Sequence, residues 1–127
     1  MEGNKMEKEI ILEMMKKEMG EVPKPLENLA SLDMNILIGH LEAKKNAYAG
    51  ENLDKKTKSL IALAVGITLD SQACIMNNVK AAKNNGASTE EIMETYSVAK
   101  FSKSASAISG FAAAMDWLVN NQGAQND

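Results

Sequence analysis

Apolar residues recur every three to four positions along most of this chain, and glycines, prolines and helix-capping residues interrupt the pattern. A period of 3.6 residues predicts amphipathic helices, and the interruptions mark where they end. Strand formers are sparse, and aromatic residues make up only 4% of the chain. The sequence therefore predicts an all-α fold, a bundle of about five to six helices in a single domain covering residues 1–127. Five segments can be assigned directly: about 4–20, 31–50, 54–67, 70–85 and 88–117.

Capping residues locate the start of several predicted helices. The second helix is expected to begin at Ser31 or Asp33, and the third near Asp54. The fourth is expected to begin at Asp70 or Ser71. Such side chains accept hydrogen bonds from the free backbone N–H groups of a first helical turn. The third helix is apolar nearly all round, which predicts a helix surrounded by others.

The fifth segment begins with a capping box, in which Ser88 is followed three residues later by Glu91. We therefore interpret the acidic pair in this first turn as capping groups rather than as catalytic acids. The segment either runs as one bent rod to Trp117 or breaks near Ser104. Small residues dominate positions 105–114. They predict a tight helix–helix contact, within the chain or between chains.

The charge and cysteine content exclude several classes of site. The net charge of −3 offers no basic surface for nucleic acid. All 14 basic residues are lysines, so the chain lacks the guanidinium fork that binds carboxylates and phosphates in a bidentate manner. Cys74 is the single cysteine, which rules out an intrachain disulfide and a cysteine-based metal centre. We expect neither a cofactor nor a metal site.

Three stretches bear on the cellular location of the protein or on the order of its last residues. Residues 1–20 mix charged and apolar positions and lack the apolar core of a signal peptide. The longest apolar run, 60–67, is too short to span a bilayer. The polar tail 120–127 is expected to fray. A cytoplasmic protein without membrane contact is the resulting expectation.

A polar cluster interrupts the apolar side of the fourth predicted helix. Ser71, Cys74 and Asn78 are spaced at i, i+3 and i+7, so they point the same way. A buried polar group without a partner costs about 1–3 kcal/mol. The pattern therefore predicts either a satisfied polar network or the wall of a pocket, and Cys74 is either a reactive thiol or an inert buried cysteine.

The segment 71–78, S-Q-A-C-I-M-N-N, resembles the Cys-x-x-Cys-x-x-x-His motif of the carboxymuconolactone decarboxylase / alkylhydroperoxidase D-like family. The likeness continues through Gly86 and the Ser88 cap and covers about residues 26–118. It implies that family's helical bundle and homo-oligomers, which are trimers or hexamers. It also implies that Cys74 occupies the position of the peroxide-reacting cysteine.

The chain departs from the family motif at the other catalytic positions. The first motif cysteine is Ser71 here, the motif histidine is Asn78, and the upstream glutamate of the proton relay corresponds to Ser59. A peroxidatic thiol must be deprotonated, and its sulfenic acid must be resolved by a second thiol. The start of a helix favours a thiolate at Cys74, whereas a capping Asp70 would oppose it.

Three functions follow as hypotheses. The first is a thiol-dependent peroxidase of the peroxiredoxin type, which works through Cys74 and an external thiol reductant. The second is a non-enzymatic homo-oligomer with a binding or scaffold role. The third, less favoured, is a decarboxylase, which needs acid–base groups and a grip on carboxylates. The sequence leaves open whether His40 or Tyr48 lies near the thiol.

Overall fold

The computed structural model describes residues 2–123, except for the side chains of Glu2 and Asn4. Within that range the chain is helical and has no strand, which confirms the all-α prediction. The described residues form seven helices, slightly more than the five to six expected. They are α1 (Glu2–Met19), α2 (Lys24–Leu32), α3 (Met34–Tyr48), α4 (Lys55–Thr68), α5 (Gln72–Asn84), α6 (Thr89–Gly110) and α7 (Ala112–Asn120).

The chain divides into two compact units, Met1–Leu53 and Asp54–Asp127. The first contains α1 to α3 and the second α4 to α7. The single domain stays a prediction. Helix α7 ends at Asn120, the first residue of the tail expected to fray, and residues 124–127 of that tail lie outside the described residues. No helix in the described range has the length and apolar character needed to cross a bilayer.

Helix α2 is the element that the sequence prediction missed. Prolines are expected to interrupt helices, yet Pro23 is the N-cap of α2 and Pro25 lies in its first turn. Proline fits there because the first N–H groups of a helix have no intrahelical acceptor. The next helix begins as predicted, since the Asp33 carboxylate accepts hydrogen bonds from the backbone N–H groups of Asn35 (3.0 Å) and Ile36 (3.3 Å).

The second unit is built around α4, which packs against both α5 and α6. Its core consists of Leu63, Ala82, Ala87 and Ile92, with Leu63 almost fully enclosed. Within a single chain, α4 is not surrounded by other helices on every side as predicted. Ile61 is 48% exposed and Val65 is 51% exposed, so one side of α4 remains uncovered in a single chain.

A salt-bridged cap fixes the start of α6 to α4. The Ser88 hydroxyl accepts from the Glu91 N–H (3.0 Å), and the Glu91 carboxylate accepts from the Ser88 N–H (3.1 Å), which confirms the predicted capping box. The other carboxylate oxygen of Glu91 pairs with Lys56 at 2.9 Å. The hydrogen bond from Lys56, followed by that from Ser88, lowers the pKa of Glu91.

The expected break near Ser104 does not occur. Helix α6 continues to Gly110, and the chain turns at Phe111 before α7 begins. Positions 105–114 are nearly all exposed, so they make no tight contact within the described part of this chain. A contact between chains remains the other alternative for these small residues.

We expect Glu91→Gln to flatten the response of stability to acid. The pKa of Glu91 is lowered from 4.5 in the fold, so its carboxylate favours folding above that pH. That contribution is lost as the pH falls through the lowered pKa. The wild-type Tm should therefore drop more steeply below pH 4.5 than the Tm of the variant, which should start lower at pH 7.

The control is Glu90→Gln, because Glu90 lies in the same turn and forms no ion pair among the described residues. Its Tm profile should follow the wild type. The wild type and both variants retain Asp54, whose pKa is also lowered by hydrogen bonds from Thr57. Some loss of stability in acid therefore persists in all of these proteins. Parallel profiles for wild type and Glu91→Gln would show that the pair with Lys56 does not link folding to pH.

Candidate functional site

The turn between α4 and α5 determines where the thiol of Cys74 lies. The Ser71 N–H donates to the Gly66 carbonyl (3.1 Å), and the Asp70 N–H donates to the Ile67 carbonyl (3.2 Å). This pair of bonds is a Schellman motif. The Ser71 hydroxyl then accepts from the N–H of Cys74 at 3.4 Å and caps α5. The cap therefore puts Cys74 at the third position of its helix.

Asp70 holds the strained position of this turn. Its φ is +55°, the left-handed region that glycine usually occupies, at a cost of about 1–2 kcal/mol for other residues. Its carboxylate pairs with the Lys103 ammonium from α6. The sequence left the cap of α5 open between Asp70 and Ser71, and the structure assigns it to Ser71. The negative charge of Asp70 is therefore paired with the positive charge of Lys103.

Cys74 is a free, exposed cysteine, so the interpretation of a buried thiol is wrong for the single chain. Its backbone lies close to α4 at Gly66, which is itself buried. A Cβ atom added at Gly66 would lie 3.4 Å from the Cβ of Cys74 and 3.4 Å from the backbone N of Ile75. Glycine at this position therefore allows the two helices to approach beside the thiol.

The expected buried polar network does not form around Cys74. Ser71 and Asn78 are only half-buried, and the Ser71 hydroxyl is used by the helix cap. Among the described residues, no buried side-chain nitrogen or oxygen lacks a hydrogen-bond partner. Asn78 lies on the same side of α5, where its amide can donate a hydrogen bond but cannot carry a proton away.

Ser59 has a structural role that sequence reasoning did not anticipate. It is buried, with 3% of its surface exposed. Its hydroxyl donates to the Lys55 carbonyl (2.9 Å) and accepts from the side-chain amide of Asn85 (2.9 Å). Ser59 precedes Gly66 by seven residues, about 10 Å along α4. The structure therefore ties Ser59 to the end of α5 and does not bring it to the thiol at the beginning.

Two further candidate residues belong to the other unit of the chain. His40 and Tyr48 belong to α3 in the first unit, and both are exposed. Sequence reasoning missed Lys103 and Asn85, because only the fold shows which distant residue each one meets. No group of three or more His, Cys, Asp or Glu side chains converges within residues 2–123.

An open groove runs along the uncovered side of α4 in the second unit. It has a volume of about 410 Å³ and lies between α4 and α6. Its lining consists of Thr57, Leu60, Ile61 and Ala64 from α4, and Glu91, Glu94, Thr95 and Val98 from α6. A larger depression of about 650 Å³ on α1 is lined by that helix and Gly20 alone, and it offers no set of converging catalytic groups.

Comparison with known proteins identifies relatives of the chain. The family model described as "Carboxymuconolactone decarboxylase family" matches residues 39–118. The chain is also similar to "Uncharacterized protein 4 in cox locus" of Paracoccus denitrificans, with 44% identity over 59 residues. That match covers 46% of this chain and 53% of the relative, so the chain spans about half the length of the curated relative.

We expect Gly66→Ala to disturb the site at Cys74. Alanine raises helix propensity by up to about 1 kcal/mol, but its Cβ would press on the start of α5. The control is Gly39→Ala in α3, where nothing lies within 4 Å of the added Cβ. This variant should gain the full increase in stability. Gly66→Ala should gain less and should alkylate faster at Cys74, as measured with iodoacetamide. Identical gains and identical alkylation rates would contradict the close approach.

Proposed function

Because the chain belongs to the carboxymuconolactone decarboxylase family, we propose that it reduces peroxides through the single thiol of Cys74 and an external thiol. The observation that carries the proposal is the exposed sulfur at the third position of α5. The backbone N–H groups and dipole at the start of a helix attract anions. An exposed sulfur is also open to a peroxide and to a reducing thiol.

The proposed cycle balances with one protein thiol. The Cys74 thiolate attacks the terminal oxygen of ROOH, the O–O bond breaks, and the alkoxide takes a proton to leave as ROH. Sulfur is oxidised to the sulfenic acid. An external thiol RSH then forms a mixed disulfide with Cys74 and releases water. A second RSH displaces the Cys74 thiol and leaves as RSSR.

The external thiol is required by the chain itself. Cys74 is the single cysteine, so an intrachain disulfide cannot resolve the sulfenic acid. Ser71, at the position of the first motif cysteine, caps α5 and cannot replace a resolving thiol. A cytoplasmic location is part of this proposal, because low-molecular-weight thiols and thioredoxins keep that compartment reducing.

The alternative is a non-enzymatic homo-oligomer with a binding or scaffold role. Its support is the hydrogen bonding of Ser59, where the matched family position carries an acid–base group. With Asn78 also unable to move a proton, the site retains the thiol but not the relay. The decarboxylase is less favoured, because it needs acid–base groups and an anion grip that an arginine-free chain lacks.

We expect Cys74→Ala to abolish peroxide consumption above the uncatalysed rate. The sulfur is the only redox group in the proposed cycle, so its removal leaves no acceptor for the peroxide oxygen in turnover. The assay follows loss of an alkyl hydroperoxide with excess dithiol. The control is Ser71→Ala, which should lower the free energy of unfolding by about 1 kcal/mol through the lost cap yet retain turnover. Equal rates in wild type and Cys74→Ala would leave the non-enzymatic alternative.

We also propose that the chain self-associates through apolar surface of its second unit. Large apolar side chains are exposed along α6 and α7: Val98, Phe101, Ile108, Phe111, Met115, Trp117, Leu118 and Val119. Together they present about 800 Å² of apolar area, taking 150–250 Å² for a whole aromatic side chain. Burying these side chains between copies would remove that apolar area from water.

The wild-type protein should sediment as an oligomer at micromolar concentration, because burying this surface removes apolar area from water. Sedimentation velocity over a dilution series measures the assembly and its dissociation. Trimers or hexamers, as the family resemblance implies, are the expected species. A monomer throughout the micromolar range would overturn self-association and would leave the proposed thiol chemistry untouched.

A further inference from the structure

We infer that helix α7 of one copy lies in the groove between α4 and α6 of a second copy. The inference rests on the self-association proposed above and specifies which surfaces meet. Both surfaces belong to the second unit, and both are exposed in a single chain. The α7 of a given chain therefore does not cover that chain's own groove, and another copy supplies a matching occupant.

Helix α7 offers an apolar side with nothing packed over it. None of the residues Ala112–Asn120 is buried. Leu118 is 50% exposed and Met115 is 38% exposed, and they lie three residues apart on one side of the helix. Asp116 lies about 160° around the helix from Leu118, at 100° per residue. The apolar side can therefore be buried without burying the carboxylate.

The groove offers a floor of similar character. Ile61 on α4 is 48% exposed, and Val98 on α6 is 66% exposed. The Thr95 hydroxyl on the α6 wall already donates to the Glu91 carbonyl at 2.9 Å. Its polar group is therefore satisfied before anything docks. An apolar helix that enters the groove covers exposed aliphatic carbon and leaves this hydroxyl hydrogen-bonded.

The two surfaces match in length and in area. The α4 wall from Thr57 to Ala64 is eight residues long, about 12 Å, and the nine residues of α7 span about 13 Å. Their exposed apolar side chains together supply roughly 600 Å². Because apolar atoms make up a little over half of a typical interface, this corresponds to about 1,000 Å² of total area, the lower limit for a specific interface. A contact between two different surfaces is heterologous, so it builds closed rings or open chains rather than twofold dimers.

The test uses engineered cysteines in a Cys74→Ser background. Val98→Cys places a thiol in the groove, and Leu118→Cys places one on α7. The two single variants and the double variant are treated with a short bismaleimide and separated under denaturing conditions. We expect a ladder of linked chains from the double variant alone. The control pairs Leu118→Cys with Lys80→Cys, on the exposed side of α5, and should give no ladder.

A matched pair of charge variants supplies the second measurement. Leu118→Lys should weaken self-association at least about ten-fold, as a central apolar anchor does when it is lost. Asp116→Lys changes the opposite side of the same helix and should leave self-association within about two-fold of wild type.

Each remaining outcome overturns the inference. Crosslinking of either single variant with itself would show a twofold contact between like surfaces. An oligomeric protein whose double variant gives no ladder would show that α7 and the groove do not meet. A monomeric wild type would remove the inference together with self-association, while the peroxide assay on Cys74→Ala would still decide the proposed chemistry.

Discussion

The close approach of α4 and α5 at Gly66 determines where the protein's one thiol lies. Because Gly66 has no side chain, the first turn of α5 can pack against it, with Cys74 and Ile75 at the point of contact. The Schellman turn that follows α4 and the cap at Ser71 both use backbone groups of this same crossing. The position of the sulfur is thus a result of backbone packing and does not depend on acid–base residues around it.

The loss of the motif's proton relay is compatible with this packing. At the position matched to the family glutamate, the Ser59 hydroxyl of α4 accepts a hydrogen bond from the side chain of Asn85, the C-cap of α5. An ionised carboxylate at such an enclosed position requires a partner or a shifted pKa, whereas a hydroxyl is satisfied by one acceptor and one donor. A hydroxyl at this position is therefore compatible with the packing of α4 against α5.

The features that the sequence predicted well are those set by neighbouring residues. The caps at Asp33, Asp54 and Ser88 bond backbone groups two or three residues away, so their spacing is visible in the chain. Helix α2 was missed because proline both ends helices and begins them. The salt bridge from Lys103 to Asp70 joins residues 33 positions apart, and its partner becomes known only when α6 is placed. The exposure of Cys74 likewise depends on tertiary packing, which helical periodicity does not determine.

The uncovered apolar surfaces of the second unit raise a question of stability. A helix as short as the nine residues of α7 is marginal in water without tertiary packing. Its own chain buries none of those residues, yet Trp117 is 62% exposed and Val119 is 65% exposed. Such a helix is stabilised when another surface buries its apolar side. The groove between α4 and α6 is the complementary surface. Its apolar side chains Ile61 and Val98 are exposed, because no helix in the described part of the chain packs over them. Pairing the two between copies covers both, and it would make the conformation of α7 depend on assembly.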